Sequence, residues 1–405
     1  MKCKICNHTV TPIHSFGQMP IANAFLTEDQ FNNEYFFELA VGFCEHCNTF
    51  QLLYLPEDSR LFHDHYAFQT SGSRVMTKHF ELMAQSYCEH WLKEKTNPFI
   101  VEIGSNDGSM LCHIAARNIR HLGIEPSANV AEIAMNRGVQ TEVILFNSTS
   151  AQAIANQYGK ADLISVANVH FGDMNDVALG VKHLLKQDGV FVFEDPYLGH
   201  VITNTAYDQI YDEHRYLFSF NSIKFIFKQV GMELFHLETY PTYGGSVRYF
   251  IGFKGQHKIE QSALQFEAKE NNELKLNQLE TYLSFAKQCE QHKEHTIRLL
   301  SDLKSQHKHI VGYGAPAKST TVLNYCGIGT ETIDCIYDSA LLKKGRFSPG
   351  KHVPVRAFDN DWTKNADYAL LFIWNHAQEV FAKEHQFNRQ AGKQWIMLVP
   401  EIKVL

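Results

Sequence analysis

Four cysteines in two tight pairs, Cys3-x-x-Cys6 and Cys44-x-x-Cys47, stand near the start of the chain. Two-residue spacing lets both thiolates of a pair face one ion, and two such pairs complete a tetrahedron of the kind that holds zinc. Four thiolates close the coordination shell and leave no position for water or substrate, so the metal expected here is structural. A redox pair is the rival reading, but a redox CxxC normally occurs once, on a strand-to-helix turn. Cys88, Cys112, Cys289, Cys326 and Cys335 are scattered singly and read as small buried apolar residues.

Two glycine turns have the form that cradles a nucleotide or an anion. The first, Gly104-Ser-Asn-Asp-Gly108, follows the apolar run Phe99–Ile103 and leads into a helix expected to start near Ser109. Glu125 ends a second strand about 20 residues beyond the first glycine, where a carboxylate accepts both hydroxyls of a ribose. The second turn, Gly312-x-Gly314-x-x-Ala317, follows the strand His309–Tyr313 and opens another helix. The amides there, from Gly314 and Ala315 onward, with the side chains of Lys318, Ser319 and Thr320, form a donor set for an anion. A turn that merely packs its helix remains open for both, more so for the second, because a lone G-x-G-x-x-A is a weak signal.

These turns need parallel sheets behind them. Leu122–Ile124, Ala161–Val166 and Gly189–Glu194 complete a first doubly wound α/β unit; Thr332–Asp338, Tyr368–Ile373 and Trp395–Val399 complete a second, Rossmann-like one. Between them, residues 256–308 contain no Pro or Gly and read as one or two bridging helices. The expected organisation is α/β throughout: a zinc-binding domain at 1–65, a nucleotide-type domain at 66–255, and a helical bridge with a second Rossmann-like domain at 256–405.

With 405 residues, 44% hydrophobic and 20% charged, the chain has the composition of a globular protein of several domains. The formal charge of −7 argues against a broad nucleic-acid surface. The zinc module itself sets Lys2, Lys4 and Arg60 against seven acids, among them Glu28, Glu45 and Asp58, and would repel phosphates. No apolar stretch approaches the roughly 20 residues of a membrane span, and no signal-peptide core follows Met1. A cytoplasmic monomer acting on a small molecule is expected.

The string Val101-Glu-Ile-Gly-Ser-Asn-Asp-Gly108 resembles motif I of class I S-adenosylmethionine (SAM)-dependent methyltransferases. The resemblance places Glu102, Gly104, Asn106, Asp107, Gly108 and Glu125 at SAM, with Asn168 at the cofactor rim beside His170. Taken with Pro20-Ile-Ala-Asn-Ala-Phe25, Ile210-Tyr-Asp-Glu-His214, Gly244-Gly-Ser-Val-Arg248 and Gly312–Lys318, the chain resembles the nucleotide-sugar C-methyltransferase family over nearly its whole length. Known members methylate C3 of 4-keto-deoxysugars. The resemblance implies an active site at Tyr211, Glu213 and His214, with Tyr66 near the sugar. It also implies substrate contacts by Arg248 and Asn375, the latter beside Trp374. Asp212 and Tyr243 stand where many relatives have His, which bears on the sugar accepted.

The chemistry is consistent with those residue types. Carbon becomes a nucleophile only when a neighbouring carbonyl acidifies its C–H bond, as a 4-ketone does for C3. Such a site needs a base of near-neutral pKa and a donor for the oxyanion. His214 suits the base, Tyr211 the donor, and Glu213 either the imidazole tautomer or a sugar hydroxyl. The expected reaction is methylation of C3 of a TDP- or GDP-linked 4-keto-6-deoxysugar through an enolate. An O- or N-methyltransferase and a noncatalytic zinc-containing SAM-binding protein are the alternatives.

Overall fold

Three separate sheets organise the computed structural model, which describes residues 1–57, 70–169, 171–358 and 362–405. The first is antiparallel: β1 (Thr11–Pro20), β2 (Phe36–Cys44) and β3 (Thr49–Leu52). Cys44 ends β2 and Cys47 lies in the hairpin to β3. The two cysteine pairs are each followed closely by an Asn in the left-handed region, Asn7 (φ 60°) and Asn48 (φ 56°), a residue type that tolerates this turn.

The second sheet holds β4 (Phe99–Ile103), β5 (Arg120–Ile124), β6 (Thr141–Glu142), β7 (Ala161–Ala167) and β8 (Leu185–Pro196) in parallel. A two-residue strand, β9 (Tyr216–Leu217), leaves this unit to become the fourth strand of the first sheet, beside β3. The antiparallel pair β10 (Met232–Tyr240) and β11 (Ser246–Phe253) then completes the order β10-β11-β8-β7-β4-β5-β6. All five residues of β4 are buried, as a central parallel strand requires; four are apolar and the fifth is Glu102. The order reverses between β4 and β7, so a crevice opens at their carboxyl ends. The helix expected at Ser109 begins at Leu111, because the Ser109 hydroxyl is bonded at 2.6 Å to Asp107 within the turn.

Residues 256–308 form two helices, Gln261–Asn272 and Leu279–Ser305. The first is locked to the central unit by buried Glu270, whose carboxylate accepts from Phe220 N, Asn221 N and the Tyr197 hydroxyl at 2.9–3.0 Å. On the second, Tyr282 stacks on Phe43 and Phe50 of the first sheet at 4.0 and 5.2 Å. All three rings are fully buried, each worth about 1.5–3 kcal/mol.

The third sheet comprises β12 (Ile310–Tyr313), β13 (Ile336–Asp338), β14 (Val355–Ala357), β15 (Tyr368–Leu371), β16 (Gln394–Met397) and β17 (Lys403–Val404). It is parallel except for β17, and its order reverses between β12 and β15. The N-terminal unit grips this lobe as well: Leu26 bridges Phe347, and Glu34 bonds Gly350 N and His352 at 2.7 Å. Among the described residues, no helix is long and apolar enough to cross a membrane.

Candidate active site

The four N-terminal cysteines converge, with Cys3 Sγ to Cys47 Sγ and Cys6 Sγ to Cys44 Sγ both 3.5 Å. A tetrahedral zinc with bonds of about 2.3 Å sets its sulfurs about 3.8 Å apart, so the residues fit that ion. Ile5 N and Gln51 Nε2 donate to Cys3 Sγ at 3.4 and 3.1 Å, and Thr49 Oγ1 lies 3.1 Å from Cys47 Sγ. Such contacts orient thiolate ligands. None of the four lines the large cavity of the molecule, in keeping with a structural metal.

That cavity measures about 1390 Å³ and lies where all three units meet. It exceeds the roughly 300–1,000 Å³ of a site for one small ligand and leaves room for a cofactor and an acceptor together.

The cofactor side is built from the ends of β4, β5 and β7. Gly104 (φ 70°) lies so close to Val169 that a Cβ would stand 2.3 Å from that side chain, so only glycine makes this turn. Glu125 accepts from Asn106 N at 3.0 Å and Ser127 N at 2.9 Å, which fixes its carboxylate at the cavity wall. Asp107, fully buried, accepts from Ser71 N and Ser109 and braces the turn from behind. Glu102 Oε2, Ser105 Oγ and Asn168 Oδ1 are buried polar atoms lacking a protein partner, an acceptor set suited to the hydroxyls and ammonium of SAM. Burial, with Asp107 and Glu125 adding negative charge, holds the Glu102 carboxyl well above its usual range. A cationic ligand relieves that repulsion.

Across the cavity stands the segment Asp208–His214. His214 Nδ1 lies 2.6 Å from the carbonyl of Gln209, which cannot donate, so Nδ1 carries the proton and Nε2 is the acceptor. Nε2 accepts from the Tyr211 hydroxyl at 2.9 Å. The Nδ1 contact that fixes the tautomer is thus Gln209's; Glu213, considered for that role, accepts from Asn23 Nδ2 at 2.8 Å. Asp212 accepts from Ala22 N at 2.9 Å, and its burial, with Glu213 beside it, pushes its pKa up to about 7. The Pro20–Phe25 string therefore docks directly on the Ile210–His214 string.

The third wall carries two half-buried cations. Lys318 Nζ donates to Asn375 Oδ1 at 2.6 Å and sits 4.5 Å from the Trp374 ring centre, its pKa lowered by burial to about 8. Lys343 donates to Ala315 O at 2.7 Å, and burial lowers its pKa too.

The fold brings Glu102, Gly104, Asn106, Glu125, Asn168, Tyr211, Glu213, His214, Lys318 and Asn375 to one cavity. It does not bring the rest there. Arg248 is 1% exposed and does not line the cavity, because its guanidinium is engaged by Glu194 at 2.8 Å and by Glu238 at 3.3 Å. At the second glycine turn the donors are spent internally: Ala315 N on Asp338, Ser319 Oγ on Pro316 O and Thr320 Oγ1 on Ala22 O. Gly314 abuts Ile373, and Gly108 packs on Ala134 and Val139. Tyr66 and His170 lie outside the described residues. Gln209, Asn23 and Lys343 were missed as site residues; only the Pro20–Phe25 string carried a hint, for Asn23.

Comparison with known proteins adds the decisive observation. Over 409 aligned residues the chain is 30% identical to the C-methyltransferase NovU of Streptomyces niveus, covering 100% of this chain and 96% of that protein. The chain belongs to this C-methyltransferase family. Family models agree along its length: "Putative zinc binding domain" over residues 3–62, "Methyltransferase domain" over 76–237 and "C-methyltransferase C-terminal domain" over 241–400. Solved structures similar to part of the C-methyltransferase include a SAM-dependent methyltransferase of Anabaena variabilis, at 13% identity and TM-score 0.35 over 43% of this chain and 84% of that one. Another is the magnesium protoporphyrin IX methyltransferase of Synechocystis with bound SAM, at 12% identity and TM-score 0.33 over 44% and 82%. The protein is a SAM-dependent methyltransferase with a four-cysteine zinc-binding domain.

Proposed function

We propose that this C-methyltransferase methylates C3 of a nucleotide-linked 4-keto-6-deoxysugar, carried on TDP or GDP, through an enolate generated by His214. The observation that carries the reading is the fixed tautomer. With Nδ1–H held by Gln209 O, the Nε2 lone pair is presented at the wall of a cavity that also holds Glu102, Asn106 and Glu125.

Nε2 takes the C3 proton, the C–H pair becomes the C3–C4 double bond, and the carbonyl pair moves onto the C4 oxygen. The imidazolium so formed is stabilised through Nδ1–H by the Gln209 carbonyl, the part an orienting acceptor plays in catalytic histidines. Tyr211, which donates to Nε2, is released as the acceptor carbon arrives and becomes a donor to the C4 oxygen. SAM, which Glu102, Asn106 and Glu125 would hold, would supply the electrophilic methyl to the C3 carbanion, leaving S-adenosylhomocysteine. Lys318 and Lys343, whose charge is costly to bury, support an anionic group such as the nucleotide diphosphate on the third wall. The NovU relationship supports methylation on carbon.

The test is turnover of TDP-4-keto-6-deoxyglucose with SAM, the new methyl located by mass spectrometry. His214→Asn should bind SAM as the native enzyme does and lose about 10²–10⁴ in kcat. A methyl found on oxygen, or His214→Asn turning over like native, refutes the reading.

A further inference from the structure

The His214 imidazole is aimed by a carbonyl, and a carbonyl is only as well placed as the segment that bears it. That segment, Tyr207–Gln209, is a single 3-10 turn with no long element to stiffen it. What holds it comes from outside the methyltransferase unit. Asp208 is 2% exposed, and its Oδ2 accepts from Trp374 Nε1 at 2.6 Å, across the domain boundary. Its other oxygen, Oδ1, is buried without a partner. A carboxyl sunk this deep is costly; the Trp374 N–H is the side-chain hydrogen bond it gains, and the nearby Lys318 charge favours it as well.

The Trp374 ring is seated from two sides. Gly244 packs so tightly on it that a Cβ would lie 2.3 Å from the ring. The residue before, Tyr243, adopts a left-handed backbone (φ 55°, ψ 18°), unfavourable for an aromatic residue, and its carbonyl accepts from Gln209 Nε2 at 2.8 Å. Gln209 is thereby held at both ends: by its side chain to the strained turn beneath Trp374, and by Asp208, its chain neighbour, to the indole itself. Its own carbonyl then grips His214 Nδ1.

We propose that Asp208 is a positioning residue through which Trp374 of the C-terminal lobe sets the aim of the His214 imidazole. Lys318 rests over the same indole, so an anion meeting that lysine and the imidazole that removes the proton are joined through one ring. The inference rests on His214 being the base, and the variants below separate the two.

Three variants are assayed beside native and His214→Asn enzyme for kcat, SAM affinity and melting temperature. Trp374→Phe keeps the ring and removes the N–H; Asp208→Ala removes the acceptor. Each should lower kcat by about tenfold or more, because misplacing a reacting group by a fraction of an ångström has that effect. SAM affinity should be unchanged. Asp208→Asn keeps an acceptor for the indole and avoids the buried charge, and should restore kcat to within about threefold of native. Placed in the His214→Asn background, Trp374→Phe should have no further effect on kcat, since residues acting through one another are not additive. If Trp374→Phe does not fold, the Asp208→Ala and Asp208→Asn pair decides the matter alone. Native kcat in Asp208→Ala, equal loss in Asp208→Asn and Asp208→Ala, or full additivity with His214→Asn overturns the proposal. If His214→Asn is itself as fast as native, the base assignment has failed, and the proposal falls with it.

Discussion

Replacing Arg248 by Met separates a structural cation from a substrate-binding one, and the structure sets the size of the effect. The guanidinium is 1% exposed, and Nε and an Nη both lie 2.8 Å from Glu194 Oε2. Glu194 is fully buried, and its other oxygen meets His79 Nε2 at 2.7 Å. Burial alone would raise the Glu194 carboxyl, but His79 and Arg248 outweigh it and hold the group below its usual range. Without the arginine the carboxylate keeps its desolvation penalty and loses its main countercharge, a change that costs about 3–5 kcal/mol. At about 2–4 °C per kcal/mol, melting should fall by about 6–20 °C. The double variant Glu194→Gln, Arg248→Met should recover most of the loss, because it leaves no unpaired charge behind. The assay is thermal denaturation followed by circular dichroism, with KM for the sugar nucleotide measured well below the transition. An Arg248→Met protein that melts with native, but whose KM rises tenfold, would refute this reasoning and return Arg248 to the substrate.

Cys44→Ala should lose zinc on metal analysis and several kcal/mol of stability, since metal binding and folding of such a module are coupled; a variant with native zinc content and melting would show that another ligand set holds the ion. Glu125→Ala should weaken SAM binding by at least about tenfold in calorimetry, the equivalent of one charge-assisted hydrogen bond. Glu102, its carboxyl raised by burial and by Asp107 and Glu125, should be shifted back down as cationic SAM binds. Calorimetry in buffers of differing ionisation enthalpy should therefore show proton release, and SAM affinity should rise with pH through this group's elevated pKa. The sign for stability is the opposite: a carboxyl raised in the folded state stabilises at low pH and loses that contribution as pH climbs through its pKa.

What the sequence revealed followed the range of the interactions. Turns and strands defined by a few neighbouring residues were legible: β4 and the Gly104–Gly108 turn are local chemistry, as are the two cysteine pairs. Glu125 was legible because strand geometry fixes how far an acid lies from the first glycine. The other half of the site is assembled across the chain. Asn23 reaches Glu213 and Trp374 reaches Asp208 only because three units close on one cavity, and no periodicity reports such contacts. Arg248 misled for the converse reason. Its position in a suggestive string hid its carboxylate partners, Glu194 opposite it on β8 and Glu238 on β10, which the chain brings from elsewhere. The donors of the second glycine turn misled likewise, since the partners that absorb them, Asp338 and Ala22, arrive from elsewhere in the chain.

The strand that the central unit lends to the zinc sheet has a bearing on synthesis. β3 ends at Leu52, while its partner β9 begins at Tyr216, about 160 residues later. At about 5–20 residues per second, the ribosome takes roughly 8–30 s to deliver that partner. During this interval the open edge of β3 is a template for another nascent chain, the exposure that makes unpaired strands prone to aggregation. Zinc capture by Cys3, Cys6, Cys44 and Cys47 requires only the first 47 residues, so the metal is available to fix the hairpin long before its edge is covered. The order of events on the ribosome is thus written into the connectivity: metal first, the parallel strands β4 to β8 second, and only then the strand that seals the module beside the segment bearing His214.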